Sequence, residues 1–401
     1  MTSLTGSGFA AMITKAVGNF FRTESAAGAV LFAAALLAIA AANTPALAAH
    51  YEHFLHANIG IVIGEGVYGM SAAHFINDGL MALFFFVVGL EIKRELLAGE
   101  LSSKARAMLP AIAAVGGMAL PAAIYASVNW GDMAAMRGWA IPTATDIAFS
   151  LAVLSLLGSR VPVALKVFLT AVAVIDDLGA IAIIAVFYTE QLNAAPLALS
   201  ALTLFVLAML NWKGVTTRAP YILLFFILWA FVLKSGVHAT IAGVAASMAV
   251  PLKAKGGDKR SPLISLEHDL HPPIAFGILP LFAFANAGVN FAGLTLASLA
   301  LPITAGIAMG LVFGKIVGIS AAVWLAVRFG IGEKPGGCSW MAMVAVAALC
   351  GIGFTVSLFI GNLAFGAGEQ TNLVKLGVLA GSTIAGIIGY LLLRFAAFPN
   401  R

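Results

Sequence analysis

Residues 162–188 read PVALKVFLTAVAVIDDLGAIAIIAVFY, an almost uninterrupted apolar stretch with two adjacent aspartates near its centre. As a helix it reaches about 40 Å at 1.5 Å per residue, enough to cross a hydrocarbon core of roughly 30 Å. Asp176 and Asp177 lie too deep in this stretch to reach water from its ends. An ionised side chain at mid-bilayer costs at least about 2.5 to 3.5 kcal/mol, so both aspartates are candidates for function.

The composition of the whole chain points the same way. Its 401 residues are 61% hydrophobic and 10% charged, whereas soluble domains have about 45 to 50% apolar and about 25% charged residues. A transmembrane barrel would show repeated segments of about ten residues that alternate in polarity, and this pattern occurs only near 58–71. The sequence therefore predicts an all-α, polytopic membrane protein.

Twelve apolar segments define the predicted transmembrane helices. They are 26–42, 75–92, 107–128, 139–157, 162–188, 195–211, 219–234, 238–251, 272–290, 299–327, 340–365 and 373–395. A single helix over 219–251 would be about 50 Å long, so a turn is predicted at 234–236. We treat residues 1–401 as one transmembrane domain.

The basic residues orient these segments. With both termini in the cytoplasm, eighteen of the 22 Lys and Arg residues fall on the cytoplasmic side, as the positive-inside rule requires. Cleavage of residues 26–48 as a signal peptide would spoil this distribution, so none is expected. No basic run is interleaved with aromatics, which argues against nucleic acid as a partner. The two cysteines form no disulfide or metal framework, and no cofactor is expected.

An external loop at 43–74 separates the first two spans. The runs 58–64 and 66–71 flank a Gly64-Glu-Gly66 turn, which predicts a β-hairpin, although an irregular loop is the alternative. An exposed hairpin edge can pair with a second copy of the chain. A homodimer through this hairpin is therefore our hypothesis.

The Asp176–Asp177 pair indicates a cation site. Two adjacent carboxyls repel each other when both are ionised, so they are expected to titrate as a coupled unit. Hard oxygen ligands suit Na+ or Li+ on the grounds that they suit other hard cations. The alternative is a packing pair that buried hydrogen bonds neutralise.

Two other spans are predicted to be interrupted. One contains Ile141-Pro-Thr-Ala-Thr-Asp-Ile147 and the other Cys350-Gly-Ile-Gly-Phe-Thr-Val-Ser357. Proline removes a backbone hydrogen bond, and hydroxyl groups can satisfy what it frees. Two broken spans in corresponding places mark a transporter's binding site. Asp146 could balance the positive ends of half-helices, or it could simply cap a kinked helix.

Lys315 lies within the tenth span, on the glycine face formed by 306, 310, 314 and 318. Glycines on one face let a neighbouring backbone approach closely, so Lys315 is predicted to be buried against protein. It could neutralise negative half-helix ends, pair with Asp176 or Asp177 until a cation displaces it, or act as a structural counter-ion.

Further charged residues lie near the ends of spans. Asp78 could line an entrance or be solvated, and His238 could sense pH or cap a helix, since imidazole titrates near neutrality. Glu91 and Glu267 belong to charged clusters on the predicted cytoplasmic side. Solvation is the favoured interpretation for most of those charges.

Several motifs in order along nearly the whole chain resemble the bacterial NhaA sodium/proton antiporters. They are Ile76-Asn-Asp-Gly-Leu80, Val88-Gly-Leu-Glu-Ile-Lys-Arg-Glu95, Ala144-Thr-Asp-Ile-Ala-Phe149, Ile175-Asp-Asp-Leu-Gly-Ala180, Lys234-Ser-Gly-Val-His-Ala-Thr240, Leu281-Phe-Ala-Phe-Ala-Asn-Ala-Gly288 and Cys350-Gly-Ile-Gly-Phe-Thr355. The resemblance implies twelve helices with inverted repeats at spans three to five and ten to twelve. It also implies that spans four and eleven are discontinuous helices that cross each other.

The resemblance also assigns roles. Asp176 and Asp177 match the family's ion-binding pair, and Lys315 matches the lysine that pairs with the first aspartate. The remaining matches are the crossing-helix residues and the pH-response positions, namely Thr145, Asp146, His238 and Glu267. The implied activity is electrogenic exchange of external H+ for internal Na+ or Li+ across the inner membrane, active at alkaline pH, in sodium and pH homeostasis.

Two other classes fit the residues less well. A passive cation channel needs pore symmetry or repeated filter loops, which single acids on three helices do not supply. An intramembrane aspartyl protease should take its two acids from separate helices, whereas Asp176 and Asp177 are adjacent. The chain is therefore not expected to be an enzyme.

Overall fold

A computed structural model describes residues 6–63, 66–189, 192–253, 261–366 and 368–396. Almost every element in them is a helix. We number the helices α1 Gly6–Asn43, α2 Pro45–His56, α3 Ala72–Ala98, α4 Lys104–Val128, α5 Ile147–Ser155, α6 Val163–Phe187, α7 Ala194–Trp212, α8 Ala219–Leu233, α9 Ile241–Ala249, α10 Pro262–Pro273, α11 Leu279–Asn286, α12 Pro302–Arg328, α13 Trp340–Leu349, α14 Phe354–Phe365 and α15 Glu369–Phe395. Wider π-helical turns occur at Phe75–Leu80 in α3, at Ile274–Ile278 between α10 and α11, and at Gly310–Gly314 in α12.

Seven helices in the described ranges are long and apolar enough to cross a membrane. The count rises to eight if α13 and α14, whose axes bend by 44°, form one span. The protein is thus a helical, multi-pass membrane protein, as predicted. α5 and α9 have nine residues each and reach only about 14 Å, so their spans are not single straight helices. The number twelve stays a prediction.

The glycine face of α12 packs against α4 and the segment that follows it. A Cβ atom added at Gly314 would lie 2.7 Å from Pro121 Cα, and one at Gly310 would lie 2.6 Å from Pro142 Cβ. Only glycine fits where two backbones approach so closely. The contact places Lys315 inside the protein, where it is 1% exposed.

Two non-helical interruptions lie directly before α5 and α14. Before α5, a single 3-10 turn at Ile141–Thr143 passes into extended backbone at 144–146. Between α13 and α14, residues 350–353 leave the helical conformation. The two interruptions touch, because the Asp146 backbone N–H donates to the Ile352 carbonyl at 2.6 Å.

The loop between α1 and α3 contains more structure than the sequence predicted. Strands β1 Asn58–Ile63 and β2 Gly66–Ser71 pair antiparallel, while residues 64 and 65 of the predicted turn lie outside the described residues. Before them stands α2, a helix that our sequence analysis missed. Its Tyr51 hydroxyl donates to the Phe284 carbonyl of α11 at 2.8 Å, which fixes the loop to the helical body.

The sequence before α10 contains Lys255, Lys259 and Arg260. These residues lie outside the described part of the chain. Beyond them, α10 begins after Ser261, whose hydroxyl accepts a hydrogen bond from the Ile264 N–H at 3.3 Å. This cap fixes where the helix that carries Glu267 starts.

Candidate functional site

Asp146 caps the two half-helices that begin at the interruptions. It is the N-cap residue of α5, where its carboxylate accepts a hydrogen bond from the Phe149 N–H at 3.0 Å. Its other oxygen accepts from the Thr355 N–H at 3.1 Å and from the Thr355 hydroxyl at 2.6 Å, at the start of α14. Helix N-termini carry about half a positive charge each. One buried carboxylate therefore compensates two of them.

Hydroxyl groups satisfy the carbonyls that the interruptions release. Thr145 donates to the Cys350 carbonyl at 2.8 Å, Ser150 to Leu349 at 2.8 Å, and Ser357 to Ile141 at 2.7 Å. Backbone carbonyls in a membrane interior need such partners, because no water reaches them. We call the contact between these two non-helical segments the crossing. Side chains from both segments hold it together.

Lys315 joins this crossing to the aspartate pair. Its ammonium group donates to Asp176 Oδ2 at 2.9 Å and to the Thr145 hydroxyl at 3.0 Å. Asp176 Oδ1 is also buried and accepts no hydrogen bond within the described part of the chain. A buried carboxylate oxygen without a donor is rare in folded proteins and calls for an explanation.

Asp177 lines a cavity of about 110 Å³, which we call the Glu267 cavity. Thr145, Asp146 and Thr355 line its inner end. Its other lining groups are mostly apolar, with charged or titratable side chains from α3 and α10, namely Glu91, Arg94, Glu267 and His271. Two carboxylates of the crossing region, Asp146 and Asp177, therefore face the same space.

Arg94 and Glu267, which both line the Glu267 cavity, form an ion pair, and the neighbouring Lys93 is also hydrogen-bonded. Arg94 Nε lies 3.0 Å from both oxygens of Glu267, and Arg94 Nη1 donates to Glu95 at 2.6 Å. Lys93 donates to the carbonyls of Met248 and Val250, at the end of α9. Their part-buried pairing differs from the solvated state that the sequence favoured, because α10 folds back over α3.

A second cavity of about 970 Å³ contains the other predicted residues. We call it the His238 cavity. Asp78 lies between two histidines, with Oδ2 at 2.9 Å from His74 Nε2 and Oδ1 at 3.7 Å from His238 Nε2. The His238 Nδ1 atom lies 2.9 Å from the Thr240 hydroxyl. The described lining of this cavity includes neither member of the aspartate pair.

Phe359 belongs to the same helix as Thr355, which lines the Glu267 cavity. It lies on α14 one turn after Thr355, is fully buried, and lines the His238 cavity. Its ring centroid lies 5.5 Å from those of Phe85 and His238 and 6.3 Å from that of Phe282. This aromatic cluster packs behind the wall that Phe359 contributes to the His238 cavity.

The sequence analysis overlooked three contributors to these sites. His74 precedes Asp78 by four residues, a spacing that places both side chains on one helix face, so the signal was present. Thr355 stood in a motif already singled out, but its bond to Asp146 spans 209 positions. Ser382 on α15 accepts hydrogen bonds from the N–H groups of Gly353 and Phe354, and no local pattern marks it.

The chain is similar to known antiporters over almost its full length. The family model described as "Na+/H+ antiporter 1" matches residues 18–393. A protein from Nitrobacter hamburgensis named "Na(+)/H(+) antiporter NhaA" is 52% identical over 96% of this chain and 93% of its own length. Proteins of the same name from Aliivibrio salmonicida and Rhodospirillum rubrum are also 52% identical, over 95% and 96% of this chain and over 97% and 98% of their own lengths. These matches confirm the resemblance seen in the sequence, and the chain belongs to the Na+/H+ antiporter 1 family.

Proposed function

We propose that this protein is a secondary active transporter that exchanges external H+ for cytoplasmic Na+ or Li+ at Asp176 and Asp177. One observation carries this proposal. Two adjacent buried carboxylates lie beside the contact between two non-helical segments, and Lys315 holds one of them through an ion pair of 2.9 Å. Membership of an antiporter family makes the protein a transporter and not an enzyme.

The chemistry of the pair accounts for competition between H+ and Na+. A hard cation is bound by ionised carboxylate and hydroxyl oxygens, so Na+ binding requires protons to leave the pair. Asp177 faces the Glu267 cavity, and Asp176 Oδ1 offers an acceptor without a donor among the described residues. We propose that Na+ enters between these carboxylates and displaces Lys315 from Asp176.

Charge transfer follows from how many protons are displaced. We propose that two protons move inward for each Na+ that moves outward, so that each cycle carries one net charge into the cell. A membrane potential supplies about 2.3 kcal/mol per charge per 100 mV. This contribution lets the transporter expel Na+ even when the pH gradient is small.

The protein alternates between two open states in this proposal. With Glu267 on the cytoplasmic side, the present structure is the inward-facing state, because the Glu267 cavity reaches Asp146 and Asp177. The aromatic cluster around Phe359 closes the path from the His238 cavity, which we place on the external side. Thr145, Asp146 and Lys315 keep the crossing neutral while ions change.

Four charged residues lie on the two access routes. We propose that Asp78 and His238 act on the external route and Glu91 and Glu267 on the cytoplasmic route. Asp78 is paired with His74 and His238, and Glu267 with Arg94. We propose regulation of access by pH through these groups.

The arrangement in the membrane is a separate part of the proposal. It comprises twelve spans in the bacterial inner membrane, both termini in the cytoplasm, and inverted repeats at spans three to five and ten to twelve. The β1–β2 hairpin pairs with that of a second copy to form a homodimer. Cross-linking in native membranes that captures only monomers would contradict the dimer.

The decisive experiment measures transport in everted membrane vesicles. Asp177→Asn should abolish Na+ uptake driven uphill by an imposed pH gradient, because the pair can then no longer hold both charges. Glu333→Gln, a change at an exposed loop acid, is the matched control and should leave transport unchanged. Wild-type activity in Asp177→Asn would refute the site, and purely downhill Na+ movement by the unaltered protein would indicate a channel.

A further inference from the structure

The N-terminus of α14 lacks a capping side chain of its own. Its N-cap residue is Gly353, which has no side chain to accept a hydrogen bond from the first turn. The N–H groups at this end are buried at the crossing, and a buried donor without a partner costs free energy. By contrast, α5 is capped by Asp146, the residue that directly precedes it.

Ser382 supplies the missing cap from another helix. Its hydroxyl oxygen accepts from the N–H groups of both Gly353 and Phe354 at 3.2 Å. Ser382 is 7% exposed and belongs to α15. Among the described residues, no other side chain of α15 makes a hydrogen bond at the crossing. The next N–H group along α14, that of Thr355, donates to the Asp146 carboxylate. The positive end of α14 is thus shared between a hydroxyl and a carboxylate.

Close packing fixes Ser382 in this position. A Cβ atom added at Gly351 would lie 2.9 Å from Ala385 Cβ, and one at Gly386 would lie 3.4 Å from the Ile352 side chain. Small residues on both sides therefore let α15 lie directly against the interruption. A hydroxyl on this face of α15 is held within reach of the two N–H groups.

We propose that Ser382 is a positioning residue for cation exchange, because its hydroxyl takes the N–H groups of Gly353 and Phe354. The Asp146 carboxylate then serves only Thr355 at this end of α14, while it also caps α5 and lines the Glu267 cavity. This inference rests on the proposed cation site. Without the Ser382 oxygen, the uncompensated N–H groups compete for the Asp146 carboxylate and make the cavity more positive. A more positive cavity binds Na+ less well. The residues proposed to bind and move the ions are themselves unchanged.

The test is a comparison of Na+-dependent currents in proteoliposomes. Ser382→Ala should raise the apparent KM for Na+ about fivefold, the change that corresponds to one hydrogen bond of typical net strength, and leave the maximal rate within about twofold. Ser382→Thr, which keeps the hydroxyl, should restore the wild-type KM. Thr383→Val removes an exposed hydroxyl from the neighbouring position and should change nothing. An unchanged KM in Ser382→Ala would overturn the proposal.

Two additions keep the result interpretable. If Ser382→Ala does not reach the membrane in folded form, Ser382→Cys, with its weaker acceptor, is compared with Ser382→Thr. A higher KM for the cysteine variant supports the proposal, and equal values overturn it. Asp177→Asn is measured in parallel. If it is inactive while Ser382→Ala has the wild-type KM, only the role of Ser382 fails; if it remains active, the cation site fails and the inference with it.

Discussion

The Glu267 cavity and the His238 cavity differ in volume and in how deeply the charged side chains near them are buried. The His238 cavity is the larger, at about 970 Å³ against about 110 Å³, yet only the smaller one reaches Asp146 and Asp177. Their ion pairs differ as well. Lys315 and Asp176 are each 1% exposed, whereas the His74 side chain is 52% exposed beside Asp78. The most buried charges therefore lie beside the smaller cavity, which Asp177 lines.

The largest effect is expected at the buried ion pair. Lys315→Ala leaves the Asp176 carboxylate without its cation, and breaking a buried pair in this way costs about 3 to 5 kcal/mol. The midpoint of thermal unfolding in detergent should fall accordingly. The double variant Lys315→Ala/Asp176→Asn removes both charges and should recover most of the loss. Unfolding of the single variant at the wild-type temperature would show that the pair is not structurally important.

An intermediate effect is expected at the partition between the cavities. Thr355→Cys, in a chain whose Cys338 and Cys350 are replaced by alanine, should react with a membrane-impermeant thiol reagent from the Glu267 side. Adding Phe359→Ala removes the ring that touches Phe85, Phe282 and His238, so reaction from the opposite side should rise at least about tenfold. A lost aromatic side chain in a packed core leaves a cavity.

The control for that experiment is Phe359→Leu, which fills most of the space and should label like the parent. Equal labelling of the parent from both sides would contradict the difference between the cavities. Equal labelling of Phe359→Ala and the parent would show that another group forms the partition.

The smallest effect is expected in the His238 cavity. His74→Gln removes the partner of Asp78 Oδ2, and half-exposed ion pairs contribute only about 0.2 to 1 kcal/mol. Maximal exchange currents should remain within about twofold of wild type, and so should the thermal midpoint. A loss as large as that of Lys315→Ala would show that the external group is as important as the buried pair.

The sequence predicted the features that depend on local composition. The apolar spans, the aspartate pair and the interruptions at Asp146 and Cys350 all show in short windows, because charge, proline and glycine are out of place in a membrane helix. The glycine face of α12 was also visible, since four glycines recur at helical spacing. These signals were enough to select the candidate residues Asp146, Asp176, Asp177 and Lys315, but not their partners Thr355 and Ser382.

Long-range partners could not be predicted in this way. The Arg94–Glu267 pair joins residues 173 positions apart, and Ser382 reaches an interruption 29 positions earlier on another helix. Such contacts depend on how α3, α10, α14 and α15 pack, which no window of sequence contains. Helix α2 was missed because 43–74 was taken as one loop, although Pro45 at its first position followed by Ala and Leu is a helix signal.

The double role of Asp146 has a consequence for how the centre of the molecule moves. A single carboxylate is hydrogen-bonded to the first turns of both α5 and α14. Tilting one helix therefore displaces the other. The two half-helices are therefore coupled through Asp146 and move as one unit. A movement that switches access from one face of the membrane to the other must rotate α5 and α14 together.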